Sequence, residues 1–183
     1  MERLRKAGVN SSTMTAGELY TGQHWQRAVT AAETAGAGLW VLSAGLGLLH
    51  ISDPVVPYEA TFSSMPFSHR TLWSLLTASP PGERRCASLQ ALMQQRPLDR
   101  FIVAASPVYL RAVENDLRVG SKALASSEQL TVVTSKAWRG ELNGQIRVTN
   151  AGMMKELNTN MTGLNISLAV RLLQCENKVQ SVG

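Results

Sequence analysis

The stretch RFIVAASPVYLRAVENDL, residues 100–117, sets the pattern from which the fold is read. Phe101 to Ala104 form a short apolar run closed by small residues, as a strand covered on both faces does. Ser106 then offers a helix N-cap, and Pro107 stands at the first helical position, where a missing N–H costs nothing. A helix over 107–117 follows, so the unit is a strand running into a helix. Two more segments repeat the apolar run, LWVLSA at 39–44 and QLTVVTS at 129–135, and QIRVT at 145–149 is a weaker fourth. Helical spacing fills the intervals. Trp25, Ala28, Val29 and Ala32 mark a helix over 18–34 that stops at Gly36 and Gly38. Leu72, Leu75 and Leu76 mark one before Pro80, and Leu89, Leu92 and Met93 one before Pro97. Leu164, Leu168 and Leu172, with Ile166, Ala169, Val170 and Leu173 on another side, predict a helix over 162–174 that is buried on two faces. Strands alternating with helices imply an α/β fold with a mainly parallel central sheet flanked by helices.

Composition sets the outer bounds. A chain of 183 residues that is 44% hydrophobic buries a real core, and one domain over 17–176 is expected, with an extension at 1–16 and a tail at 177–183. No run reaches the roughly 18 apolar residues of a membrane span, and no apolar signal core opens the chain, so no membrane partner and a cytoplasmic location are expected. Cys86 and Cys175 are too few for a disulfide framework or a zinc site and read as free thiols. The net charge of +5 suits a nucleic-acid partner, although only 17% of residues are charged and the excess is not gathered in a tail. A monomer is favoured.

In parallel α/β sheets, ligands sit beyond the carboxyl ends of the strands. Ser43, Ser106 and Ser135 each follow an apolar run and line one edge if their strands are parallel neighbours. Serine is also an ordinary cap or turn residue, and both readings stand here. Glycine-rich nucleotide motifs, the Walker lysine, H-E-x-x-H, paired cysteines and the G-x-S-x-G elbow do not occur. With no cluster of His, Cys and carboxylates at ligand spacing, neither a metal nor a cofactor is expected.

The segment GELYTGQHWQRAVTAAETAGAGLWVLSAGLGLLHISDPVVPYEATF, residues 17–62, resembles the bacterial YaaA-like family. That family shows an L-Y-x-G helix start, a strand ending in L-S-A-x-x-G-L and a downstream P-Y-D/E. Leu19, Tyr20, Gly22, Ser43, Ala44, Gly47, Leu48, Pro57, Tyr58 and Glu59 occupy those positions. Ser106 and Tyr109 are similar to the family's later Ser-x-x-Tyr segment, and the likeness runs over roughly 17–175. The resemblance implies a fold related to uracil-DNA glycosylases, and a role in base excision against phage, in modified-base chemistry, or in DNA protection under oxidative stress. The chain departs from the pattern at its start, where MERLRKAGVNSSTM supplies no apolar strand.

Cleaving a base from deoxyribose passes through an oxocarbenium-like sugar, which calls for a carboxylate, donors to the departing base and a pocket for an extruded nucleotide. Glu59 and Asp53 are the candidate catalytic carboxylates, although Asp53 before Pro54 also suits a turn. Ser43, Gly45, Gly47, Tyr58, Ser106, Tyr109 and Asn165 are candidates for base or substrate binding. Asn158 and Asn160 precede the last helix as caps or site residues. Lys136, Trp138 and Arg139 interleave cation and aromatic as DNA-tracking surfaces do, with Arg70 on the same rim; alternatively Trp138 packs on the core. The expectation is a DNA glycosylase-like hydrolase acting on DNA with modified bases in antiviral defence. The alternatives are a non-catalytic DNA-binding stress protein and an enzyme that alters a deazaguanine-type base without excision.

Overall fold

A computed structural model describes residues 14–56, 68–80, 85–142 and 145–180. Its centre is the unit anticipated above: β5 (Phe101–Ala104) runs into α5 (Pro107–Gly120), and the chain returns as β6 (Leu130–Ser135). β5 and β6 pair in parallel with Val103 opposite Val132 and Ala104 opposite Val133. β7 (Ile146–Thr149) adds to the other side of β6, also in parallel, giving the order β5-β6-β7. Side chains alternate between the faces of a strand. Val132 accordingly joins Leu110, Val113 and Leu117 of α5 in the main core, while the fully buried Val133 points to the other face. There α6 (Leu164–Gln180) packs across all three strands, and α2 (Gln23–Ala35) packs on α6. On the first face, α3 (His69–Ala78) and α4 (Leu89–Gln95) pack against α5. The protein is therefore α/β, with a three-stranded parallel sheet between helices.

One strand departs from expectation. LWVLSA does form β2 (Trp40–Ser43), but β2 pairs antiparallel with β3 (Gly47–His50) as a separate hairpin, not with the parallel sheet. A parallel neighbour needs a long crossover, whereas only Ala44, Gly45 and Leu46 separate these strands. Gly47 completes the reversal at φ 78°, a conformation that glycine adopts without strain. Ser43 is thus not placed on the sheet edge with Ser106 and Ser135. β1 (Met14–Thr15) leads into α1 (Ala16–Leu19) and pairs with β4 (Pro54–Val55). Thr15 and Glu18 form a reciprocal capping box at α1, so packing begins inside the segment read as an extension.

Candidate functional site

The carboxyl ends of β5 and β7 meet at one side chain from the first turn of α6, and Thr149 ties in β6. The Nδ2 of Asn165 donates to the carbonyl of Ala105 at 3.0 Å, just past β5. The hydroxyl of Thr149, at the end of β7, donates to the Oδ1 of Asn165 at 2.8 Å and lies 3.2 Å from the carbonyl of Thr134 on β6. Donation to a carbonyl fixes which amide atom is nitrogen. One Nδ2 hydrogen and one Oδ1 lone pair then remain, and no described residue takes them. Ser106 is exposed beside this junction. It occupies the N-cap position of α5 without a side-chain capping bond, and Pro107 follows at the first helical position.

The approach to α6 is equally ordered. Asn160 accepts the N–H of Gly163 at 3.0 Å and faces the Nε2 of His24 at 3.1 Å. An amide oxygen can only accept from the ring, so Nε2 is the donor in this contact. The ring Nδ1 is buried with no partner among the described residues. A Cβ on Gly163 would lie 2.1–2.5 Å from the His24 ring, so this contact requires glycine. Asn158 takes φ 47°, which asparagine tolerates, and its carbonyl accepts from Arg27 at 2.9 Å. Asn158 and Asn160 thus shape the turn into α6, and His24, which belongs to no local motif, was not foreseen.

The opening segment is committed to its own turns. Ser43 is buried, and its hydroxyl accepts the N–H groups of Leu46 at 3.0 Å and Gly45 at 3.4 Å. Asp53 accepts the N–H of His50 at 2.8 Å through Oδ2, and its carbonyl accepts from Ala16 at 2.8 Å. None of these bonds reaches the parallel sheet. Burial pushes the Arg85 guanidinium below its ordinary pKa, and the charge of Asp53 opposes that shift. Arg85 donates to the carbonyl of Pro54. Tyr58 and Glu59 lie outside the described residues. Tyr109 is half-buried against the main core.

A second feature gathers charges. Arg70 of α3, Glu114, Asn115 and Arg118 of α5, and Arg139, Gly140 and Glu141 of the loop after β6 line an open cleft of about 380 Å³. Arg70 pairs with Glu114 and donates through Nε to the carbonyl of Arg111 at 3.2 Å. Glu114 also accepts the N–H of Glu141 at 2.9 Å. Arg118 donates to Asn115 at 2.8 Å, and Arg139 to the carbonyls of Lys136 and Trp138 at 2.5 and 2.7 Å. Gly140 is pressed between Trp138 and Glu114: a Cβ there would lie 1.9 Å from the indole and 2.4 Å from the carboxylate. Trp138 itself belongs to the main core and is 9% exposed. The packing reading of Trp138 therefore holds, and its ring offers no stacking platform. Lys136 is exposed on the same loop. Glu114 and Arg118 were missed, although a carboxylate among Leu110, Val113 and Leu117 on an apolar stripe was a legible signal.

Asp116, also buried on α5, accepts the indole N–H of Trp73 at 3.0 Å, and burial pushes its carboxyl above the usual range. It joins α3 to α5 and lines no cleft described here. Among the described residues, no group of three or more His, Cys, Asp and Glu side chains is placed to hold a metal ion, and no helix is long and apolar enough to cross a membrane. Residues 9–138 match a family described as a family of unknown function, DUF6884. No curated protein and no solved structure matches the chain.

Proposed function

The chain belongs to the DUF6884 family, and we propose that it is a DNA glycosylase-like enzyme that excises a modified base. The observation carrying this reading is the pair of strand ends, of β5 and β7, that Asn165 joins, beside the exposed Ser106 at the start of α5. Donors collected at strand ends are what a departing base requires. As the C1′–N bond breaks, electrons move onto the base, and the free Nδ2 hydrogen of Asn165 and the Ser106 hydroxyl stabilise that charge. Water adds to C1′ and its proton leaves to a carboxylate or solvent. In this reading Glu59 is the first candidate for that carboxylate, and Asp53 the second, through the oxygen not bonded to His50. The resemblance to YaaA-like proteins, and through them to the uracil-DNA-glycosylase fold, supports the same assignment. Antiviral defence is the proposed setting.

A non-catalytic DNA-binding role is the second reading, favoured by the engagement of Asp53 in a turn. Carboxylate variants separate the two. Under the enzyme reading, Glu59→Gln keeps DNA affinity and loses base release by roughly 100-fold, the value of one oriented electrostatic group. Equal release by Glu59→Gln, Asp53→Asn and the parent would remove this segment from the chemistry.

A further inference from the structure

We infer that the cleft between α3, α5 and the 136–142 loop is a seat for a DNA backbone phosphate, and that Glu114 is a built-in competitor for it. The inference rests on DNA as the ligand and not on base excision. Three guanidinium groups from three separate elements line the cleft: Arg70, Arg118 and Arg139. Arg118 and Arg139 have no carboxylate partner among the described residues and donate to an amide and to carbonyls. Their remaining N–H donors suit phosphate oxygens, which guanidinium groups grip in pairs.

Glu114 occupies the floor. Its side chain is 11% exposed, against 67% for the Arg70 that it holds. One carboxylate oxygen accepts the N–H of Glu141, and the other pairs with Arg70. An arriving phosphate therefore meets two available arginines and a third already engaged by an internal anion. Drawing Arg70 onto the phosphate means breaking that pair, so Glu114 lowers affinity and keeps the seat selective for a ligand charged enough to compete. Gly140 completes the arrangement, since any side chain there would strike both Glu114 and Trp138.

The test is an anisotropy titration of the full chain with a labelled DNA duplex across salt concentrations. Glu114→Gln keeps an oxygen for the Glu141 N–H and removes only the charge. It should tighten binding roughly threefold or more and steepen the salt dependence by about 0.9 in log–log slope, the value of one further phosphate contact. Arg118→Ala and Arg139→Ala should each weaken binding several-fold and flatten the slope by about the same amount. If Glu114→Gln fails to fold, Arg118→Ala decides, because Arg118 is exposed. DNA binding by the parent with folded variants indifferent would overturn the cleft assignment alone. No DNA binding by the parent, or stabilisation by inorganic phosphate without DNA binding, would overturn this inference and the proposed function together.

Discussion

Replacing Asn165 by alanine tests whether the junction of strand ends is as ordered as its hydrogen bonds imply. The substitution removes the donor to the Ala105 carbonyl and the acceptor of the Thr149 hydroxyl. Ala105 is 8% exposed, so its carbonyl is left with little access to water, at a cost of about 1–3 kcal/mol. Thr149 loses less, because the Thr134 carbonyl at 3.2 Å receives the hydroxyl instead. Losing its better acceptor costs about 0.5 kcal/mol. The sum is about 1.5–3.5 kcal/mol, and for a chain of this size it lowers the melting temperature by roughly 3–14 °C. Urea unfolding measures the free energy directly. Thr149→Val and the double variant complete a cycle in which the coupling should be about 0.5 kcal/mol or more, since the two side chains share one bond. An alanine variant within 0.5 kcal/mol of the parent, with no coupling, would refute the claim that Asn165 organises the strand ends.

Gly163→Ala should destabilise by about 1–3 kcal/mol, because the added methyl overlaps the His24 ring and must displace it or the start of α6; unchanged thermal unfolding would contradict the contact. Trp138→Ala should cost about 3–5 kcal/mol of stability, as for a buried core ring, with Trp138→Phe much milder; a variant of native stability that only binds DNA less well would return Trp138 to the surface role. Asp116 gives a pH signature. Its folded pKa lies above the unfolded value, so the folded state holds the proton more tightly, and this group's contribution falls as pH rises from 3.8 through the raised value. Unfolding free energies of the parent relative to Asp116→Asn should therefore decline over that window and then level off; a pH-independent difference would show that burial does not control the carboxyl.

Local pattern revealed what local physics controls. The strand-to-helix unit at Phe101 to Leu117 was readable because apolar run, cap position and Pro107 act over a few residues. Asn165 was readable as a polar side chain in an apolar helix, and Ser106 as the residue at a strand end. The β2–β3 hairpin was hidden because a buried hairpin strand and a buried parallel strand share one apolar signature. The reversal depends on the φ of Gly47, which composition does not announce. The cleft was half visible: Arg70 and Arg139 stood out as basic residues, but the pairing of Arg70 with Glu114 spans 44 positions and leaves no periodic trace. Trp138 had two readings because a lone tryptophan in a polar loop declares its side only once Leu142 and the core close around it.

Base release is the activity that decides whether the protein is a glycosylase. The purified chain is incubated under single-turnover conditions with a panel of DNAs carrying modified bases, and both products are measured, the free base by mass spectrometry and the abasic site by alkaline strand cleavage. Stoichiometric release of one modified base is expected, with equal yields of free base and abasic site and a large loss of rate in Ser106→Ala. DNA retained throughout the panel, with neither product formed, would contradict it and leave the protein as a DNA-binding one.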